Sequence, residues 1–223
     1  MLVRGFPAAA FGTNCWVVAP AAGEQCVVID PGIGVEDQLD EVLREHRLQP
    51  VAVLLTHGHL DHTFSVTPVC GAKGIPAWIH PGDRELLVDP MKGLSAESRS
   101  MFGGKLAWTE PSDVKLLGED PLELAGLTFA ADFAPGHTRG SVVFETEQTL
   151  FSGDVLFAGS IGRTDLPGGS WEQMQDSLAR VVLPRADEMV VHCGHGPSTT
   201  IGRERASNPF LQDLASAPPS RGL

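Results

Sequence analysis

Thr56-His57-Gly58-His59-Leu60-Asp61-His62 follows directly on Val51-Ala52-Val53-Leu54-Leu55, and the reading of the rest of the chain turns on these two adjoining runs. The apolar run is continuous and of strand length, which predicts a strand covered on both faces. Side chains of an extended segment alternate with period two, so His57 and His59 point to the same side. Asp61 and His62 fall where the chain turns into a helix and can approach the same point from another direction. Neutral imidazoles with a carboxylate form a borderline-to-hard donor set suited to zinc, iron or manganese. Three of only eight histidines in the chain stand here beside an aspartate, which makes a chance polar loop a poor account.

Three later residues can complete such a set. His137 sits in Pro135-Gly136-His137-Thr138 after an apolar run ending at Phe133. Asp154 sits in Ser152-Gly153-Asp154 after one ending at Phe151, and His195 in Gly194-His195-Gly196-Pro197 after one ending near Val191. Each has glycine beside it, which lets backbone approach a site closely. His46 near a helix end, His80 before Pro81-Gly82, and His192 are expected outside the donor set, and Cys193 as a small buried residue.

Around these residues two halves share a rhythm of strands and helices. Strands are expected over Asn14–Ala19 and Gln25–Ile29, then a helix from about Val35 to Leu48 with Val35, Leu39, Val42 and Leu43 on one face. Residues 91–118 lack sustained periodicity and read as a long surface excursion with some helix. Strands resume at Leu122–Leu124, Leu127–Phe133, Val142–Glu145 and Thr149–Phe151, with turns at Ala125-Gly126 and Glu147-Gln148. Ser170 caps a second helix with Gln173 as its capping-box partner, and Trp171, Met174, Leu178, Val181 and Val182 form its expected buried stripe. A short strand is expected over Glu188–Val191. Strands mixed with helices in both halves imply one α/β domain over 1–214 and a frayed tail over 215–223.

The chain has 223 residues, 42% hydrophobic and 20% charged, enough for a full core without disulfide staples. The four cysteines show no CxxC spacing and read as reduced thiols. A formal net charge of −12 repels phosphate backbones and anionic lipid, so neither nucleic acid nor membrane is an expected partner. No apolar run reaches the length of a membrane span. The start lacks a basic segment followed by a clean apolar block, and a cytoplasmic location is expected.

The ordered pattern HxHxDH, then His, Asp and His, resembles the metallo-β-lactamase-fold hydrolase superfamily, from Ile29-Asp30-Pro31-Gly32 to Asn208-Pro209-Phe210-Leu211. The resemblance implies a four-layer αββα sandwich of two mixed sheets with the site at the sheet edges between the halves. It implies two divalent metal ions, zinc being expected with iron or manganese as alternatives. His57, His59 and His137 would hold one, and Asp61, His62 and His195 the other, with Asp154 bridging. Asp30 would fix the loop that carries the ligands. Two dications against two carboxylates and a bridging hydroxide leave a net positive site that favours a developing oxyanion.

Within that superfamily, the segment Leu156 to Gly169, including Gly162-Arg163-Thr164-Asp165, and the ending Asn208 to Leu211 resemble the glyoxalase II-like branch in its short bacterial form. Its implied chemistry is hydrolysis of a small acyl-thioester such as S-lactoylglutathione by a metal-bound hydroxide, with Asp61 orienting the nucleophile and taking its proton. Arg163 is a candidate for binding a substrate carboxylate. The chain departs from full-length glyoxalase II in having no tyrosine and only about thirty residues after His195. The nearest rival is a persulfide dioxygenase using one iron on His57, His137 and Asp154. A lactonase lacks its tyrosine here, a β-lactamase does not use a bridging Asp154, and a nuclease needs a basic domain that charge and length do not allow. A non-catalytic metal-binding protein of this superfamily would show gaps among the ligands, and here every position is filled.

Overall fold

The computed structural model describes residues 1–101 and 107–216. Its first sheet is built from β1 (Leu2–Pro7), β2 (Asn14–Ala19), β3 (Gln25–Ile29), β4 (Gln49–Leu54), β5 (Ala77–Ile79) and β6 (Val114–Leu116), in that spatial order. β1, β2 and β3 run antiparallel, and β3 to β6 parallel. The second sheet uses β7 (Leu122–Leu124), β8 (Leu127–Phe133), β9 (Val142–Thr146) and β10 (Thr149–Gly153). A small hairpin, β11 (Leu156–Phe157) and β12 (Ser160–Ile161), follows before β13 (Val190–Cys193) and β14 (Thr199–Thr200) close the sheet. Its order is β14-β13-β10-β9-β8-β7, with β10 and β13 parallel and the other pairs antiparallel.

Alternation along the strands shows why the layers stack as they do. On β3, Cys26 and Val28 face one apolar cluster while Val27 and Ile29 face another, and on β9 Val143 opposes Val142 and Phe144 in the same way. The middle cluster takes Val18, Val27, Ile29 and Leu54 from the first sheet and Phe129, Phe144 and Phe151 from the second, so it fills the space between the sheets. The first outer cluster packs α1 (Glu36–His46) and, beyond α2 (Leu60–Thr63), α3 (Val66–Lys73) onto the first sheet. α4 (Arg84–Val88) and α5 (Ala96–Met101) lead into the second half. There α6 (Trp171–Ser177), α7 (Ile201–Ser207) and α8 (Pro209–Ser216) cover the second sheet's outer face. The result is the expected four-layer αββα sandwich of two mixed sheets. Its four cysteines are free and buried. Among the described residues no helix is long and apolar enough to cross a membrane.

Several elements differ from expectation for physical reasons. β1 and β6 were not anticipated; both are edge strands carrying exposed positions and no clean alternation. Trp171 is 48% exposed, so the expected buried stripe of α6 begins only at Met174. After α6 the helix widens into a π-turn over Leu178–Val182, and Leu183 N donates to Leu178 O at 2.9 Å. β13 runs two residues later than expected, which places His192 and Cys193 inside a strand. Of the 91–118 excursion, α5 and β6 are described and residues 102–106 are not. Of the tail, residues 217–223 lie outside the described residues.

Candidate metal centre

Each side chain of the candidate set sits where a strand ends. β4 delivers Thr56 and His57, the chain stays extended through His59, and α2 presents Asp61 and His62 from its first turn. His137 follows β8, Asp154 follows β10, and His195 follows β13. The potential donor atoms of His57, His59 and His137 lie within 4.8 Å of one another, as do those of Asp61, His62 and His195. A third group of His57, His62 and Asp154 overlaps both. Asp154 Oδ2 stands 3.5 Å from His137 Nε2 and 3.6 Å from His195 Nε2, so one carboxylate faces both triads. The structure thus brings all seven sequence-predicted residues together.

The surrounding hydrogen bonds determine which ring nitrogens face inward. Asp30 accepts from Thr56 N at 2.8 Å and from Thr56 Oγ1 at 2.6 Å, and its Oδ2 lies 2.9 Å from His62 Nδ1. His62 therefore donates Nδ1–H to Asp30 and turns the Nε2 lone pair inward. Thr56 Oγ1, having spent its proton on Asp30, accepts from His57 Nδ1 at 3.1 Å, and His137 Nδ1 donates to the Arg163 carbonyl at 2.7 Å. The Nε2 atoms of His57 and His137 are then lone pairs turned toward the cluster.

Acceptors facing acceptors demand a cation between them. His62 Nε2 lies 3.3 Å from both His195 Nε2 and Asp154 Oδ1, whereas a neutral His59 donates Nδ1–H to His137 Nε2 at 2.8 Å and leaves its own Nε2 unpartnered. The buried atoms His57 Nε2, His59 Nε2 and Asp154 Oδ1 have no hydrogen-bond partner, a costly state in a protein interior. Burial, reinforced by the neighbouring imidazoles, holds His57 well below the usual histidine range, and burial with His137 lowers His59 to about 3. Both are neutral, the ligating form. Burial would also lower His62, but Asp154 and Asp61 outweigh it and push that imidazole up. For Asp61 and Asp154 burial acts upward and His62 prevails, holding both carboxyls down. Without another cation a proton on His62 fills the gap. The donor set fits divalent ions.

Some supporting residues escaped sequence reasoning. Thr13 Oγ1 donates to Asp61 Oδ2 at 2.8 Å. Asn14 N donates to Gly194 O at 2.7 Å, and Asn14 Nδ2 donates to the carbonyls of Cys193 and Gly196 at 3.1 and 2.8 Å. The start of β2 thereby grips the turn carrying His195. The only signal was the polar Gly12-Thr13-Asn14 break before an apolar strand. Gly194 permits the approach: a Cβ there would fall 2.8 Å from His62 Cε1 and against Asp154 Oδ1.

Other residues stand apart. The Arg163 guanidinium is exposed and closed on Asp165 by two contacts of 2.7 Å, so it meets the cluster through its carbonyl alone. His192 packs on Trp16, Nδ1 2.7 Å from Ser198 Oγ, and burial lowers it to about 4. Burial raises the Cys193 thiol to about 11. His46 lies 3.0 Å from Arg4 Nε, and His80 stacks on Phe133. An open cavity of about 490 Å³ adjoins the His137 side, lined by Gly82, Leu86, Lys92, Thr138, Arg139 and Gly168 among others.

Comparison with known proteins gives one family. A family model described as "Metallo-beta-lactamase superfamily" matches residues 8–195. The hydroxyacylglutathione hydrolase GloC of Haemophilus influenzae is 34% identical, the alignment covering 95% of this chain and 98% of that protein. The crystal structure of BLEG-1 B3 metallo-beta-lactamase superposes with a TM-score of 0.84 at 38% identity, covering 94% of this chain and 99% of that one. TTHA1623, solved in a di-iron-bound form, superposes with a TM-score of 0.78 at 36% identity, covering 93% and 100%.

Proposed function

The chain belongs to the metallo-beta-lactamase superfamily, and we propose that within it the protein is a binuclear metal-dependent hydrolase of small acyl-thioesters. The observation that carries this reading is the pair of donor triads sharing one carboxylate, Asp154. His57, His59 and His137 would hold one ion, and Asp61, His62 and His195 the other. Zinc suits this nitrogen and oxygen set, and iron is the alternative. Divalent ions bound there supply Lewis-acid polarisation of a carbonyl oxygen and acidify water.

The chain's own residues do the remaining work. Asp30 and the Arg163 carbonyl hold the His62 and His137 tautomers so that no ring must reorient during turnover. Asp61, one quarter exposed and steadied by Thr13, would orient the attacking water and accept its proton. The cavity beside Thr138 offers space for the acyl or thiol portion of a substrate.

The thioester substrate rests on the similarity to GloC along nearly the whole of both chains. BLEG-1, a B3 metallo-beta-lactamase, shares the fold, so substrate class is decided by assay. Metal-loaded protein should hydrolyse S-lactoylglutathione or other acyl-thioesters well above any β-lactam. Asp61→Asn should lower kcat by about 10²–10⁴. Oxygen uptake with glutathione persulfide and no thioester hydrolysis would instead select the mononuclear dioxygenase, a reading that leaves His59, Asp61, His62 and His195 unused or merely supporting the ligands.

A further inference from the structure

We propose that Asp83 is a positioning residue whose carboxylate holds the His57–His59 loop and the His137 loop at the separation at which their imidazoles share one ion.

Asp83 closes the turn Pro81–Asp83 after β5 and is 1% exposed. Its Oδ2 accepts from Gly58 N at 2.8 Å and from Thr138 Oγ1 at 2.6 Å, while its Oδ1 accepts from Gly140 N at 2.7 Å. Gly58 is the residue between His57 and His59, and Thr138 and Gly140 follow His137. A single side chain therefore joins a ligand loop of the first sheet to a ligand loop of the second. Charge-assisted hydrogen bonds of this kind are the strong ones, and burial excludes water as a substitute partner.

The backbones converge on Asp83 more closely than side chains would allow. A Cβ on Gly140 would lie 2.5 Å from Asp83 N and 2.7 Å from its Cγ, and one on Gly58 would lie 2.6 Å from Leu86 Cβ. Asp30 offers the contrast. Its partners Thr56 and His62 belong to one loop of the first half, so it shapes that loop without joining it to the other half. The Asp83 contacts, together with the bond from Val142 N to Thr56 O at 2.8 Å, set where His59 stands relative to His137, whose ring nitrogens approach to 2.8 Å.

The inference requires an ion on the His57, His59 and His137 triad and does not depend on the substrate. Its failure is thus distinct from failure of the thioester reading. The test is titration with Co²⁺, followed by visible absorption, in two backgrounds. His195→Ala leaves the His57 triad as the principal site, and His59→Ala leaves the Asp61, His62 and His195 triad. Asp83→Asn should weaken Co²⁺ binding by about 10–100-fold in the His195→Ala background and leave it unchanged in the His59→Ala background. Thr138→Val, which removes one of the three contacts and spares the carboxylate, should show a smaller loss confined to the same triad. It serves alone if Asp83→Asn does not fold. Unchanged affinity at the His57 triad, or equal loss at both sites, would overturn the proposal.

Discussion

Asp30 adopts φ 51°, a left-handed conformation that costs a residue with a Cβ free energy unless its side chain is used. Here that conformation aims both carboxylate oxygens at Thr56 and His62. Replacing Asp30 with Ala should weaken metal binding about 10–100-fold, measured by competition with a chromogenic chelator. His192 makes a second prediction. Its folded value of about 4 lies below the ordinary 6.5, so between those limits the unfolded chain binds more protons. Stability is then present above pH 6.5 and lost as pH falls toward 4. Discounted for partial exposure, the effect is about 1–2 kcal/mol. Urea unfolding of the wild type and His192→Phe at pH 7 and pH 5 should show the difference shrinking in the variant. The seven donor residues were legible in the sequence because histidines and aspartates at strand ends form an ordered pattern. Thr13, Asn14 and Asp83 were not, because their partners are atoms 48, 179 and 55 residues away, a kind of contact that no local pattern records.

At the scale of elements, strands closed off by turn residues were the most legible, the edge strand β7 among them. β2, β3 and β8 match their expected limits because their apolar runs are bounded by turn residues. β1 and β6 are held by neighbours on one side only, and their composition reflects solvent as much as sheet. The helix α6 keeps its Ser170 cap, with Gln173 N donating to Ser170 Oγ at 3.3 Å. Its first apolar residue, Trp171, reaches Phe210 at the surface instead of the core. The β9–β10 hairpin turns on exposed Glu147 at φ 52°, a conformation that asparagine accepts more readily. Glu147→Asn should stabilise the protein by about 0.5–1 kcal/mol and raise Tm by about 2–3 °C in a thermal melt.

The molecule is built on two large sheets joined by the shared apolar layer, by the Thr13–His195 backbone bridge and by the site. Ions held by donors from both halves would stabilise the native state by mass action, about 4 kcal/mol at free metal a thousandfold above Kd. Removing them with a chelator should lower Tm by about 10 °C, and readdition should restore it. An exposed stretch, Gly118-Glu119-Asp120, is the covalent crossing between the sheets. Cutting the polypeptide there would leave each fragment with its own sheet but with only part of every donor triad. Two such pieces, expressed separately, should reassociate in a cation-dependent manner, turning the enzyme into a split reporter whose assembly reads out the metal supply around it.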